Sequence, residues 1–248
     1  MSPPNLRWVR SSLSDLCKRV GDFLVPPLCI ICNNPLHDTW FCSHCLHTLE
    51  TNHNSRDTCP FCSQNRKIRE CTCEIAWDFP FEKVFSFYDF DDLLRSIAHH
   101  IKYKGKRRLA FHVGLVSAPR LPDEFLDDID LVIPVPLHKS RMRQRGYNQA
   151  EWFARGIVSG LGVGLEVRTD LLVRRKKTGT QTKLDKESRI RNLESAFGIN
   201  GAKAYQIRNR RVLLVDDVLT TGATVEACTG ELLKAGCRGV RVLSMGRD

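Results

Sequence analysis

The sequence predicts an α/β protein built on a mostly parallel sheet, with a small cysteine-rich metal-binding region ahead of it. Three observations carry that expectation. Short apolar runs alternate with helical stripes from about residue 84 to the end, the order that builds parallel sheets with helical crossovers. Eight of the 11 cysteines fall between Cys29 and Cys73, mostly as C-x-x-C pairs. The string "RVLLVDDVLTTGAT" at 211–224 runs an apolar strand into two carboxylates and a small, hydroxyl-rich loop.

The elements follow in order. Val9, Leu13, Leu16, Val20 and Phe23 recur at helical spacing, which predicts a helix within 1–28 that the pair Pro26-Pro27 stops. The cysteine region is expected over 29–78 and the α/β domain over 79–248. Within the latter, "VFSFY" at 84–88 reads as a strand, and 91–103 as a helix with Asp91 at its start. A basic knot, "KYKGKRR" at 102–108, precedes a second helix running to about Ser117. "IDLVIPV" at 129–135 reads as a buried strand, and a helix is expected from about Asn148 to Leu161. "LLV" at 171–173 precedes a long polar, basic segment reaching Ser195, of which 184–195 is expected to be helical. "RVLLV" leads to a helix over about 223–235, with Gly236 as its C-terminal stop, and "GVRVLSM" is the last strand.

Composition narrows the class. The chain has 248 residues and 42% hydrophobic content, enough for one large or two modest domains with a sizeable core. No run of 18 apolar residues suggests a membrane span, and the N-terminus lacks the uninterrupted apolar stretch of a secretory signal. The expected location is therefore the cytoplasm, with no membrane insertion. The net charge is +10, and it is uneven: 29–73 is neutral, whereas 74–248 carries 30 basic and 22 acidic residues. Such an excess suits polyanionic partners, whether diphosphates, nucleotides or nucleic acid, and equally a solvated basic surface.

In a reducing compartment, clustered cysteines point to metal rather than disulfides. Cys29, Cys32, Cys42, Cys45, Cys59, Cys62, Cys71 and Cys73 are candidate ligands. A C-x-x-C turn aims two thiolates at one ion, and two turns complete a tetrahedron. Eight thiolates could hold two structural zinc ions, paired sequentially or interleaved, and each ion would stand in for a core that so short a segment cannot build. His37, His44 and His47 lie among them and are expected on the surface, with ligation by one of them in place of a thiolate left open.

The acid pair, Asp216 and Asp217, sits where α/β sheets place ligands, at the C-terminal edge of a strand. The following helix start offers free N–H groups and a positive dipole end. Thr220, Thr221 and Thr224 add hydroxyls, and Gly222 with Ala223 lets backbone approach closely. The loop is a candidate phosphate cradle, and the carboxylates suit sugar hydroxyls or hydrated magnesium beside it. Lys139, Arg141, Arg143 and Arg145 follow a strand, and Arg175 and Lys176 open a 174–192 segment of net charge +6. Both sets could neutralise a leaving diphosphate, and the second could close as a mobile loop.

The acid-pair string closely resembles the diphosphate-ribose signature of type I phosphoribosyltransferases. The order of the Cys-rich start, "PVPLHKSRMRQRGYNQAE", "TGTQTKLDKESRIRNLESAF" and "LLVDDVLTTGATVEAC" resembles the ComF family of competence-associated proteins across nearly the whole chain. Arg145, Gly146, Tyr147, Asn148 and Gln149 fit that family's motif, as do Thr178, Gln181, Leu184, Arg189 and Asn192. Gly179-Thr180 stands where a proline often precedes the glutamine. The resemblance implies a type I phosphoribosyltransferase core with helices on both faces of the sheet and a double zinc ribbon. It also implies phosphoribosyl diphosphate and magnesium as ligands, and a role in natural competence and DNA uptake alongside competence-machinery proteins, handling incoming single-stranded DNA. Under that reading Asp216 and Asp217 hold ribose hydroxyls and magnesium, and 220–224 hold the 5-phosphate. Displacement at ribose C1 would make the chain a pentosyltransferase. The alternative is a non-catalytic single-strand DNA-binding module that keeps the donor site as a sensor or relic, with Tyr103, Tyr147 and Trp152 available for bases.

Overall fold

The computed structural model describes residues 28–36, 40–51, 58–59, 61–67, 70–71, 79–176 and 196–248. The helix expected within 1–28, Cys73, His37 and the 177–195 part of the basic segment lie outside the described residues. Two compact units emerge, one up to Thr51 and one from Asn52.

The first unit holds a knuckle at Cys29 and helix α1 (Ser43–Thr51). In the knuckle the Cys29 N–H donates to Asn34 O at 2.8 Å and Asn33 N–H donates back to Cys29 O at 2.9 Å. Asn33 adopts φ 58°, the left-handed conformation asparagine tolerates better than most residues. The second unit repeats this turn at Cys59, where Cys59 N–H donates to Gln64 O at 2.9 Å, Ser63 N–H to Cys59 O at 3.0 Å, and Ser63 has φ 55°.

The main sheet has the order β1-β6-β5-β2, all parallel, with β1 (Lys83–Asp89), β2 (Leu131–Pro134), β5 (Arg211–Leu219) and β6 (Gly239–Arg247). Burial runs through nearly every residue of β5 and β6, as expected of strands covered on both faces. On one face Val212, Leu214, Val240 and Val242 pack with Val225, Cys228 and Leu232 of α6 (Ala223–Lys234). The opposite face takes α5 (Gln149–Leu161), which packs on β2 and β5. A second sheet pairs β3 (Leu172–Arg174) with β4 (Phe197–Ile199), antiparallel. The basic 174–195 segment is therefore the connection between these two short strands.

Local chemistry sets the ends. Asp91 caps α2 (Asp92–Tyr103) by accepting from Leu94 N at 2.8 Å. Asn148 caps α5 by accepting from Ala150 N at 3.1 Å. The end of α6 makes a Schellman pair: Gly236 N–H donates to Leu233 O at 2.9 Å and Cys237 N–H to Leu232 O at 3.2 Å, with Gly236 at φ 88°. Three of these elements were not expected. Helix α1 falls inside the cysteine region, where only thiol turns were read. Lys139–Arg145 forms helix α4, not a basic turn. None of its residues is buried, so it carries no apolar stripe to betray it. Strand β4 is three residues long, too short for a pattern of period two.

Helix α3 (Arg107–Ser117) crosses α5 at backbone contact. A methyl group on Gly156 would lie 2.1 Å from Phe111 O, and one on Gly114 2.3 Å from Phe153 O. Both positions face main chain, which cannot swing aside. Gly156→Ala should therefore force the helices apart and destabilise the chain by about 2–3 kcal/mol. Denaturant midpoints of the two proteins check this, and an unchanged midpoint would contradict the crossing.

Candidate functional site

Asp216 and Asp217 lie near the C-terminal end of β5, each 8% exposed. Two carboxylates taken so far from water cannot both stay ionised without nearby cations. Lys102 supplies one, its Nζ lying 2.7 Å from Asp217 Oδ2. Gln149 Nε2 donates to the same oxygen at 3.3 Å, and Arg145 donates to Gln149 Oε1. The Asp217 N–H donates to Asp216 Oδ1 at 2.8 Å.

Burial, reinforced by the Asp217 charge, pushes the Asp216 pKa up to about 8. Burial acts on Asp217 in the same direction, but the Lys102 ammonium outweighs it and holds Asp217 below the ordinary carboxylate value. The two shifts run in opposite directions, favouring the proton on Asp216 and the charge on Asp217 beside Lys102. A buried ion pair of this kind adds little net stability; its effect here is to fix which carboxylate is ionised.

The Arg-Gly-Tyr-Asn-Gln motif assembles this corner. Gly146, at φ 79°, ends α4 in the left-handed region. Tyr147 is buried and its hydroxyl donates to Ile101 O in α2, one residue before Lys102. Asn148 Nδ2 donates to Val135 O at 2.9 Å, just past β2. Gln149 reaches Asp217. Five consecutive residues thus tie α4, α2, β2 and β5 to one point.

Beyond the pair, Thr220 and Thr221 are exposed and Thr224 is half-buried. Gly222 is the N-cap of α6 at φ 83°, with no side-chain hydrogen bond to the first turn, and Thr221 Oγ1 accepts from Ala223 N at 3.5 Å. Loop, acid pair and helix start therefore follow one another as the sequence indicates.

The expected basic residues divide. A helix turns about 100° per residue, so Arg141 and Arg145 share one side of α4 while Lys139 and Arg143 share the other, where both are exposed. Arg145 belongs to the corner. Arg141 raises the local positive potential at Arg174, whose pKa is lowered by burial first and by Arg141 second, with Cys228 and Asp216 acting the other way. Arg175 instead lies along β4, its guanidinium donating to Ile199 O at 3.4 Å, and Lys176 is exposed. Lys102 and Arg174 are the charges that sequence reasoning did not single out, although both lie within the basic stretches at 102–108 and 174–192.

The thiols form two groups. The ligand atoms of Cys29, Cys32, Cys42 and Cys45 lie within 4.8 Å of one another, as do those of Cys59, Cys62 and Cys71. Among the described residues the pairing is therefore sequential. His44 and His47 are exposed and stand outside both groups. Burial raises the Cys29 thiol, but N–H groups of Cys32, Cys42 and Ile31 outweigh it and lower the pKa to about 6. At Cys59, donors at Cys62 and Phe61 likewise overcome burial and lower it to about 7. Sulfur donor sets with amides aimed at them fit a thiophilic cation such as zinc.

Residues 148–245, from the α5 cap through β5, its loop and α6 into β6, match the phosphoribosyl transferase domain family. DNA utilization protein YhgH of Escherichia coli K12 is 26% identical over 238 residues, covering 90% of this chain and 98% of the relative. Competence protein F of Haemophilus influenzae is 28% identical over 231 residues, with 88% and 96% covered. Competence protein ComFC of Streptococcus pneumoniae is 26% identical over 217 residues, with 85% and 89% covered.

The raised Asp216 pKa has a signed consequence. Its stabilising effect is complete below the unfolded value of 3.8 and is lost as pH rises to about 8. Asp216→Asn, which mimics the protonated acid, should exceed the wild type in stability by an amount that grows from pH 4 to pH 8. Urea unfolding without divalent cations measures it. A gap independent of pH would contradict the assignment.

Proposed function

On the premise that this chain is a homologue of competence and DNA-utilization proteins and carries a phosphoribosyl transferase domain, we propose that it binds phosphoribosyl diphosphate with magnesium at the end of β5. The observation that carries the reading is the buried acid pair, with Lys102 against Asp217, running directly into the small loop before α6. Asp217, already ionised, faces neutral or cationic groups and would hold ribose hydroxyls and the waters of a magnesium ion, whose hard oxygen chemistry suits carboxylates. Backbone and hydroxyls of 220–224 would take the 5-phosphate. Arg141, Arg145 and Arg174 would face the diphosphate. Lys139, Arg143, Arg175 and Lys176 would act at longer range, through the basic field that gathers anions.

Transfer would break the bond between ribose C1 and the diphosphate oxygen, and the electron pair would leave with the diphosphate. The arginines would stabilise that developing charge, which is where a preorganised positive site contributes most. Magnesium would share in that neutralisation. The thiol groups would hold structural zinc. In the cell we place the protein in the cytoplasm, in the handling of incoming single-stranded DNA with other competence proteins.

A second reading has its own observation. Tyr103 is 69% exposed, with the His99 ring 5.2 Å away and the Arg145 guanidinium 5.9 Å from its centroid. Arg107 lies 5.0 Å over Trp152. Aromatic rings among cations suit stacked bases of a single strand, and a chain of that kind could keep the donor site without transferring ribose.

Titration with phosphoribosyl diphosphate and magnesium tests the donor assignment. An Asp216→Asn, Asp217→Asn pair of substitutions should weaken binding about tenfold or more. Equal affinity would sink the assignment. Diphosphate release on incubation with a panel of bases and amines supports transfer, and silence across the panel alongside salt-dependent single-strand binding supports the second reading.

A further inference from the structure

Strand β1 is the outer strand of the parallel sheet, pairing with β6 on one side. Its other side would present unpaired N–H and C=O groups, the usual liability of a sheet edge. The knuckle at 59–65 covers it. Phe61 O accepts from Val84 N at 2.8 Å. Ser63 Oγ accepts from Ser86 N at 3.1 Å and donates to Val84 O at 2.9 Å. Asn65 Nδ2 donates to Asp89 Oδ2 at 2.8 Å, and Gln64 Oε1 accepts from Arg247 Nε at 3.4 Å, reaching the end of β6. Ser63 and Gln64 are buried.

The residues that make these bonds lie between or immediately beside the thiols. Phe61 separates Cys59 from Cys62, and Ser63 follows Cys62. An N–H of Phe61 points at the Cys59 sulfur while its carbonyl holds Val84. One short peptide therefore faces the thiol group on one side and the strand on the other. Within the described residues, the knuckle's own backbone bonds form one turn and one isolated bridge, Thr58 to Asn65, and a short hairpin of this kind is marginal by itself. With a cation on Cys59, Cys62 and Cys71 its two ends are fixed. The first thiol group falls wholly within the other compact unit.

We propose that the two thiol groups have different jobs, and that a thiophilic cation on Cys59, Cys62 and Cys71 clamps the edge strand β1 of the sheet, making this group an integral part of the α/β core. The coupling runs both ways. Whatever the metal contributes to holding β1, the bonds to β1 contribute equally to holding the metal.

The test uses the full chain loaded with zinc. Hydrogen exchange at the Val84 and Ser86 amides should speed about tenfold or more in Cys59→Ser and stay at the wild-type rate in Cys29→Ser. Equal protection in both variants, or equal loss, would overturn the proposal. Should Cys59→Ser fail to fold, Ser63→Gly decides the matter. Glycine keeps the left-handed backbone at 63 and every thiol but removes the hydroxyl. In that variant the zinc held by Cys59, Cys62 and Cys71 should yield to a competing chelator at about fivefold lower chelator concentration, while the other zinc is withdrawn as in the wild type. Withdrawal of both ions as in the wild type would overturn the clamp.

Discussion

Everything at the candidate site depends on one constraint: two adjacent carboxylates buried at the end of a strand need positive charge brought to them. Within β5 nothing near them supplies it: the residues just before them are apolar and buried, and Arg211 stands at the far end of the strand, paired with Glu82 and Asp128. The charge must come from elsewhere in the chain. Lys102 arrives from the last turn of α2, 2.7 Å from Asp217, and Gln149 from the first turn of α5 relays Arg145. Those residues lie more than sixty positions from the pair in sequence. The site therefore exists only in the folded sheet, and its protonation state reports the integrity of the fold.

The packing serves the same end. Close crossing of α3 and α5, possible because glycines face main chain at 114 and 156, brings the start of α5 over β2 and β5. Tyr147 ties that start to the carbonyl preceding Lys102. On the opposite face only three residues separate the end of β5 from the start of α6, so its N-terminus cannot be far from the carboxylates. The short loop sets this spacing, and Gly222 lets the chain turn within it.

Much of this was legible in sequence because it is local or periodic. The strands at 83–89, 211–219 and 239–247 are apolar runs, α2 and α5 carry apolar stripes with Asp91 and Asn148 before them, and Gly236 closes α6 where expected. The C-x-x-C spacing likewise marks thiol groups, and in space the sequential pairing is the one seen. What sequence did not reveal is non-local or unpatterned. Helix α4 has no buried face, and β4 has three residues. That Arg141 and Arg145, not Lys139 and Arg143, turn together toward Gln149 and Arg174 follows only once α4 is known to be a helix. Lys102 was visible as one cation in a basic knot, but nothing along the chain marks it as the partner of Asp217. The same holds for Arg174, the last residue of β3, which nothing along the chain distinguishes from the exposed Arg175 beside it.

The most direct test is a crystal structure of the protein with phosphoribosyl diphosphate and magnesium. Ribose hydroxyls are expected against Asp216 and Asp217, the 5-phosphate on the backbone of 220–224, and the diphosphate toward Arg141, Arg145 and Arg174. A donor bound with its diphosphate on the 220–224 loop, or away from β5 altogether, would contradict it.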